Sequence, residues 1–172
     1  TLTAPPSDGT PVGVYRPAFV PQPEVPHIAV LPDGTTTTIA PPTTFAALRE
    51  TYPVNAEPIA SGATYRAPLG TVVGARSGDK GGDANLGVWA RTEAGFRWLA
   101  GELTTDRLRD LLPETRDLTV DRYELPNLRA VNFVVHGLLG VGVAASTRFD
   151  PQAKALGEWL RSRVVDIPEA LR

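Results

Sequence analysis

The run Arg76-Ser77-Gly78-Asp79-Lys80-Gly81-Gly82-Asp83-Ala84-Asn85-Leu86-Gly87 carries the densest set of reactive groups in the chain. Three glycines and four ionisable side chains fall between Arg76 and Asp83. Glycine admits positive φ and lets a backbone approach a ligand closely. Successive N–H groups in such a run can form a concave anion site. The bland alternative is an elaborate hairpin loop whose Asp and Asn side chains satisfy its own backbone. The run is no P-loop, because G-x-x-x-x-G-K-[ST] is absent, and it lacks the G-x-G-x-x-G dinucleotide fingerprint. Nor do Asp79, Asp83 and Asn85 have the spacing or closing glutamate of an EF-hand loop.

A second polar set is Arg129, Asn132 and His136, inside an apolar segment. On a helix they would share one face at i, i+3 and i+7. On a strand Asn132 and His136 would still share a face, being four residues apart. His136 is either an acid–base group titrating near neutral pH or a satisfied histidine that fixes packing. A Ser77–His136–Asp79 (or Asp83) triad can be drawn, but Ser77 lies in no nucleophile elbow. The only other histidine, His27, is remote in sequence, and there is no cysteine, so no metal centre is expected. No cofactor is expected either. Nothing around Thr1 supports an N-terminal nucleophile.

The elements around these residues divide the chain in two. Thirteen of the seventeen prolines precede Leu69, whereas eight charged residues precede it and twenty-eight follow. Residues 1–68 read as a proline-rich arm and 69–172 as a compact domain. In the arm, 25–31 and 35–39 are β-rich and flank Pro32-Asp33-Gly34, which predicts a short hairpin that needs a partner surface. Phe45, Leu48 and Tyr52 predict a helix capped by Thr43 or Thr44. The stretch 53–68 reads as a linker. In the domain, strands are predicted over 69–76, 86–91, 118–125 and 140–149, with a last edge strand at 164–167. Helices are predicted over 93–103, after the Thr104 cap, and from Asp150-Pro151 onward. The segment 128–139 has helical spacing, but its β-branched content leaves a strand open. Helices interspersed with strands without strict βαβ spacing imply an α+β fold, a ferredoxin-like sheet with helices on one face.

Composition narrows the function classes. A net charge of −2 gives no electrostatic case for nucleic acid or an anionic membrane surface. No apolar run reaches membrane-spanning length and no signal peptide is visible, so a cytoplasmic location is expected. The chain has no methionine. We therefore expect it to be trimmed, processed, or a portion of a longer protein.

Two blocks together point to a family. One is the run from Arg76 to Gly87. The other is Arg122-Tyr123-Glu124-Leu125-Pro126-Asn127-Leu128-Arg129-Ala130-Val131-Asn132-Phe133-Val134-Val135-His136-Gly137. With the segment from Phe149-Asp150 to Gly157, they resemble the C-terminal domain of the acyclic terpene utilisation (AtuA-like) family, over about residues 69–168. The resemblance implies a ferredoxin-like domain that usually follows a much larger N-terminal domain and also occurs as a separate small subunit. It also implies a part in the breakdown of branched acyclic terpenoids through coenzyme A thioesters, beside acyl-CoA carboxylase and enoyl-CoA hydratase functions.

Two readings follow from residues and resemblance together. In the first, the domain completes a hydratase-like active site on a branched acyl-CoA. His136 would then be the acid–base, with Asp79 and Lys80 as catalytic partners. Arg76, Ser77, Asp83, Asn85, Asn127 and Asn132 would bind substrate. In the second, the domain is a non-catalytic module that docks the large AtuA-like domain, a second subunit or an acyl-CoA enzyme. Both readings expect a homo-oligomer.

Overall fold

The computed structural model describes residues 18–47 and 62–172, together with Asp8, Gly9, Pro11 and Gly13. The chain divides into two compact units, one spanning Pro17–Tyr52 and the other made of Thr1–Arg16 and Pro53–Arg172.

The smaller unit is the predicted hairpin. Strand β1 (His27–Val30) pairs antiparallel with β2 (Thr36–Ile39). The turn closes as its residue types dictate. Asp33 Oδ1 accepts hydrogen bonds from the Thr35 N–H at 2.9 Å and the Thr35 hydroxyl at 2.7 Å. Those bonds hold the Asp33 carboxyl below its ordinary pKa. Gly34 takes φ 82°, which a side chain would resist. Residues 41–47 are not helical, and the rest of the helix predicted around Phe45, Leu48 and Tyr52 lies outside the described residues.

The larger unit begins with β3 (Thr64–Pro68), so the linker reading of 53–68 fails for its last five residues. A 3-10 turn follows at Leu69–Thr71, and β4 (Val73–Lys80) starts later than predicted. Next come β5 (Asp83–Ala90), α1 (Glu93–Glu102), α2 (Thr105–Leu111), β6 (Val120–Leu125) and β7 (Ala130–Val135). The unit ends with α3 (Leu156–Arg161) and β8 (Val164–Pro168). β3 and β8 form a two-stranded antiparallel pair, and β4, β5, β7 and β6 form a four-stranded sheet in that order. β5 and β6 both run antiparallel to β7, which lies between them. The segment β5–α1–α2–β6 is thus a split crossover between parallel strands, the hallmark of a ferredoxin-like α+β fold.

Local chemistry explains most of these boundaries. Thr92 caps α1 by accepting the Gly95 N–H at 3.0 Å, and Thr104 caps α2 by accepting the Arg107 N–H at 3.1 Å. Leu103 and Leu108 flank the second cap and are both buried, as a hydrophobic staple requires. One face of the sheet carries Leu86, Val88, Val131 and Phe133, all fully buried with Phe96 and Leu99 of α1. The three helices pack on this face.

Four local expectations change. The glycine-rich run is not a loop. β4 and β5 pair from Val73↔Ala90 to Lys80↔Asp83, and only Gly81 and Gly82 turn. Gly81 has φ 65°, and a Cβ on Gly82 would come within 2.3 Å of the Gly140 carbonyl oxygen. The segment 128–139 holds the strand β7 (Ala130–Val135) rather than a helix, the alternative its β-branched content left open. Pro126–Leu128 forms a 3-10 turn, Arg129 adopts a left-handed conformation at φ 51°, and Val131, Val134 and Val135 suit a pleated surface. The strand predicted at 140–149 is a series of turns instead. Gly137, Gly140 and Gly142 all have positive φ there, which breaks any ladder. The helix after Asp150 also starts late, at Leu156.

Candidate functional site

Strand pairing sorts the candidate residues by face, because neighbours along a strand point oppositely. Leu86 and Val88 of β5 face the core, so Asp83, Asn85, Gly87 and Trp89 face the other way. The register then places Arg76, Gly78 and Lys80 of β4 on that same open face. It adds Asn132 and Val134 from β7, and Asp121 and Tyr123 from β6. Ser77 and Asp79 fall on the core side.

The open face is organised at His136, just beyond the end of β7. Its Nδ1 lies 3.0 Å from Asp83 Oδ2, and its Nε2 lies 2.9 Å from Asp121 Oδ2. Asp83 Oδ1 also accepts the Gly137 N–H at 2.8 Å. Ionised carboxylates only accept hydrogen bonds, so two of them facing the two ring nitrogens favour the imidazolium form, in which both nitrogens donate. The bonds to Asp121 and then Asp83 accordingly raise the His136 pKa from its ordinary value. The clasp joins β5, β6 and β7 while leaving the imidazole side chain 40% exposed. A general base needs a free nitrogen lone pair, and His136 offers none in this arrangement.

Beside the clasp, Asn85 and Asn132 form a reciprocal amide pair. The Asn85 Nδ2 donates to Asn132 Oδ1 and the Asn132 Nδ2 to Asn85 Oδ1, both at 3.0 Å. Each amide keeps one further N–H and lone-pair capacity for a ligand. Toward the β4 edge, a groove of about 330 Å³ is lined by Arg76, Gly78, Lys80, Asn85, Gly87 and Lys154, together with Ser77 and Asp79. Lys80 Nζ donates to the Asp79 carbonyl oxygen at 3.1 Å.

The sequence-predicted residues separate accordingly. Asp83, Asn85, Asn132 and His136 come together, with Arg76 and Lys80 on the same face. Ser77 does not join them. It is buried, accepts the Gly157 N–H at 2.8 Å and donates to the Lys154 carbonyl oxygen at 3.3 Å. That role fastens α3 to β4 and removes the serine triad. Asp79 sits on the wrong face to act with His136, because one residue of strand reverses direction. Asn127 lies in the turn before β7, a whole strand away from His136, or about 20 Å at the usual rise. Arg129, in the left-handed turn position, leaves the helical trio unformed.

Sequence reasoning missed Asp121 and Lys154. Asp121 alternates with Arg122 along β6, a visible signal, but its position beside His136 depends on the β6–β7 register. Arg122 points into the other side, where it donates to the carbonyls of Ala100 and Leu103 at the end of α1 (2.7 and 3.0 Å) and pairs with Glu124 at 2.6 Å. It is a cap for that helix terminus.

Among the described residues, no group of three or more His, Cys, Asp or Glu side chains could hold a metal ion, and no helix is long and apolar enough to cross a membrane. No curated protein and no solved structure matches the chain. The sequence model of the AtuA ferredoxin-like domain does match, across residues 67–166, which takes in β4 to β7, all three helices and the His136 clasp. With more than half its length matched and a split-crossover sheet to go with it, this chain belongs to the AtuA ferredoxin-like domain family.

Proposed function

We propose that this domain works in the catabolism of branched acyclic terpenoid acids carried as coenzyme A thioesters, in the cytoplasm. Its open sheet face completes a site whose other wall is a large AtuA-like domain or subunit, within an oligomeric assembly. The observation that carries this reading is the convergence of Asp83, Asn85, Asp121, Asn132 and His136 on a single sheet face that, among the described residues, no helix covers. A groove beside this face, rather than an enclosed cavity, suits a site shared between two bodies.

Within that site the roles differ from a simple acid–base scheme. The Asn85–Asn132 pair supplies neutral donors and acceptors for a thioester or carboxylate oxygen. Lys80 supplies positive charge. His136 serves as a donor and as the charge that fixes Asp83 and Asp121. It delivers a proton only when one carboxylate yields its place to substrate.

A docking module is the second reading. It is favoured by the large side chains on the same face, Trp89 at 42% and Tyr123 at 47% exposure. The intact protein separates the two. Asn132→Ala and Trp89→Ala should be compared for assembly by sedimentation and for turnover of a branched acyl-CoA per assembled complex. The proposal expects Asn132→Ala to assemble normally and lose turnover. Normal turnover per complex in both variants, with assembly weakened, would leave only docking.

A further inference from the structure

The segment leading into α3 is built with more care than a connector needs. Ala153 is 2% exposed and adopts φ 52°, a left-handed conformation that is costly for a residue with a Cβ. The Asp150 carboxylate holds this shape by accepting the N–H groups of Lys154 (2.8 Å) and Ala155 (2.9 Å). The Ser77 hydroxyl holds it from the other side, through the Lys154 carbonyl and the Gly157 N–H. A Cβ on Gly157 would stand 3.3–3.4 Å from Ser77 Oγ and from Ala75, so glycine is what lets α3 sit this close to β4. The backbone of Lys154 is thereby fixed at both its N–H and its C=O.

The fixed backbone places an exposed ammonium over the open end of the sheet. A Cβ built on Gly78 would lie 3.8 Å from Lys154 Nζ. Gly78 stands midway between Arg76 and Lys80 on β4, and those two lie about 13 Å apart by the rise of a strand. Arg76, Lys154 and Lys80 therefore form a row above a position that has no side chain, lining one groove with Asn85 and Gly87. Three of the four nearby carboxylates are engaged elsewhere. Asp83 holds His136 and the Gly137 N–H, Asp150 holds two backbone N–H groups, and Glu158 pairs with Arg161 at 2.8 Å. Asp79 also lines the groove, from the core side.

We infer that this row binds the diphosphate of an organic ligand. Three cations in line present two adjoining anion positions, one between Arg76 and Lys154 and one between Lys154 and Lys80. A lone phosphate would use only one of them. The Arg76 guanidinium favours a forked contact to phosphate oxygens, and the two ammonium groups act as point charges. The inference deepens the proposed function and rests on it for the identity of the ligand's remainder, since coenzyme A thioesters carry a diphosphate. Ser77 acts here as a positioning residue for Lys154.

The test uses the full chain with inorganic pyrophosphate, inorganic phosphate and sulfate as probes, measured by calorimetry. Pyrophosphate should bind at least about tenfold more tightly than phosphate or sulfate. Lys154→Gln and Arg76→Ala should each weaken pyrophosphate about tenfold. Arg116→Ala, which removes an equal charge beyond the opposite side of the sheet, should change it less than about twofold. Ser77→Ala, measured below its melting temperature, should weaken pyrophosphate without any change of charge. Equal affinity for phosphate and pyrophosphate, or an equal loss in Arg116→Ala and Lys154→Gln, would overturn the inference. Because the probe has no acyl group, pyrophosphate binding alongside unaltered turnover in Asn132→Ala would sink the proposed function alone. Lost turnover without pyrophosphate selectivity would sink this inference alone.

Discussion

The two faces of the four-stranded sheet share strands, lengths and register, yet they treat polar groups in opposite ways. On the core face Ser77 and Arg122 have been consumed by the fold. Ser77 bonds to two backbone groups of the α3 segment, and Arg122 bonds to two carbonyls at the end of α1 and to Glu124. On the open face the polar groups bond mainly to one another. Asn85 and Asn132 satisfy each other, and His136 is held by Asp83 and Asp121. A group tied to backbone is a structural part. A group tied to a half-exposed side chain can exchange that partner for a ligand at small cost to the fold.

Breaking the core face should give the largest effect. Phe133 is fully buried at the centre of the sheet. Phe133→Ala should cost about 3–5 kcal/mol, enough to unfold a marginal domain, as a denaturant titration would show. Starting the chain at Leu69 should also be severe, because it removes β3 and leaves β8 with an unpaired edge. A chain starting at Gly62 should melt cooperatively, whereas one starting at Leu69 should not. Arg122→Ala should follow, at roughly 2–3 kcal/mol for the lost charged hydrogen bonds to the α1 terminus. If Arg122→Ala left the melting temperature unchanged, the division between the faces would be blurred.

The open face should respond more weakly and in a pH-dependent way. The pKa of His136 is raised in the folded state by its two carboxylates. Its stabilising contribution is therefore present in full below the unfolded value, about 6.5, and is lost as pH climbs through the raised folded value. The difference in melting temperature between the natural chain and His136→Ala should be largest near pH 6 and should shrink toward pH 9. A difference that grew with pH would mean that the neutral ring is the form the fold prefers.

Much of this was legible from residue types alone. Thr104 and Leu103 announced α2, Pro32-Asp33-Gly34 announced the hairpin turn, and the spacing of Asn132 and His136 put them on one face whatever the element. The ferredoxin-like sheet followed from the order of the elements. What stayed hidden was set by register and by rare backbone states. The meeting of Asp121 with His136 needs the pairing of β6 on β7, which no local pattern fixes. Ser77 and Asp79 were grouped with Lys80 because a glycine-rich run looks like a loop. Once it is a strand, alternation sends them to the far side. The delay of α3 to Leu156 comes from a left-handed alanine, a conformation that sequence signals reserve for glycine.

His136, held between Asp83 and Asp121, organises the open face rather than standing as a free base. Nitrogen-15 NMR of the His136 side chain across a pH titration measures this directly. The structure predicts that the ring titrates above the ordinary histidine value, about 6.5, with both nitrogens protonated below that. A His136 ring with one bare nitrogen at pH 7, titrating at or below the ordinary histidine value, would contradict it.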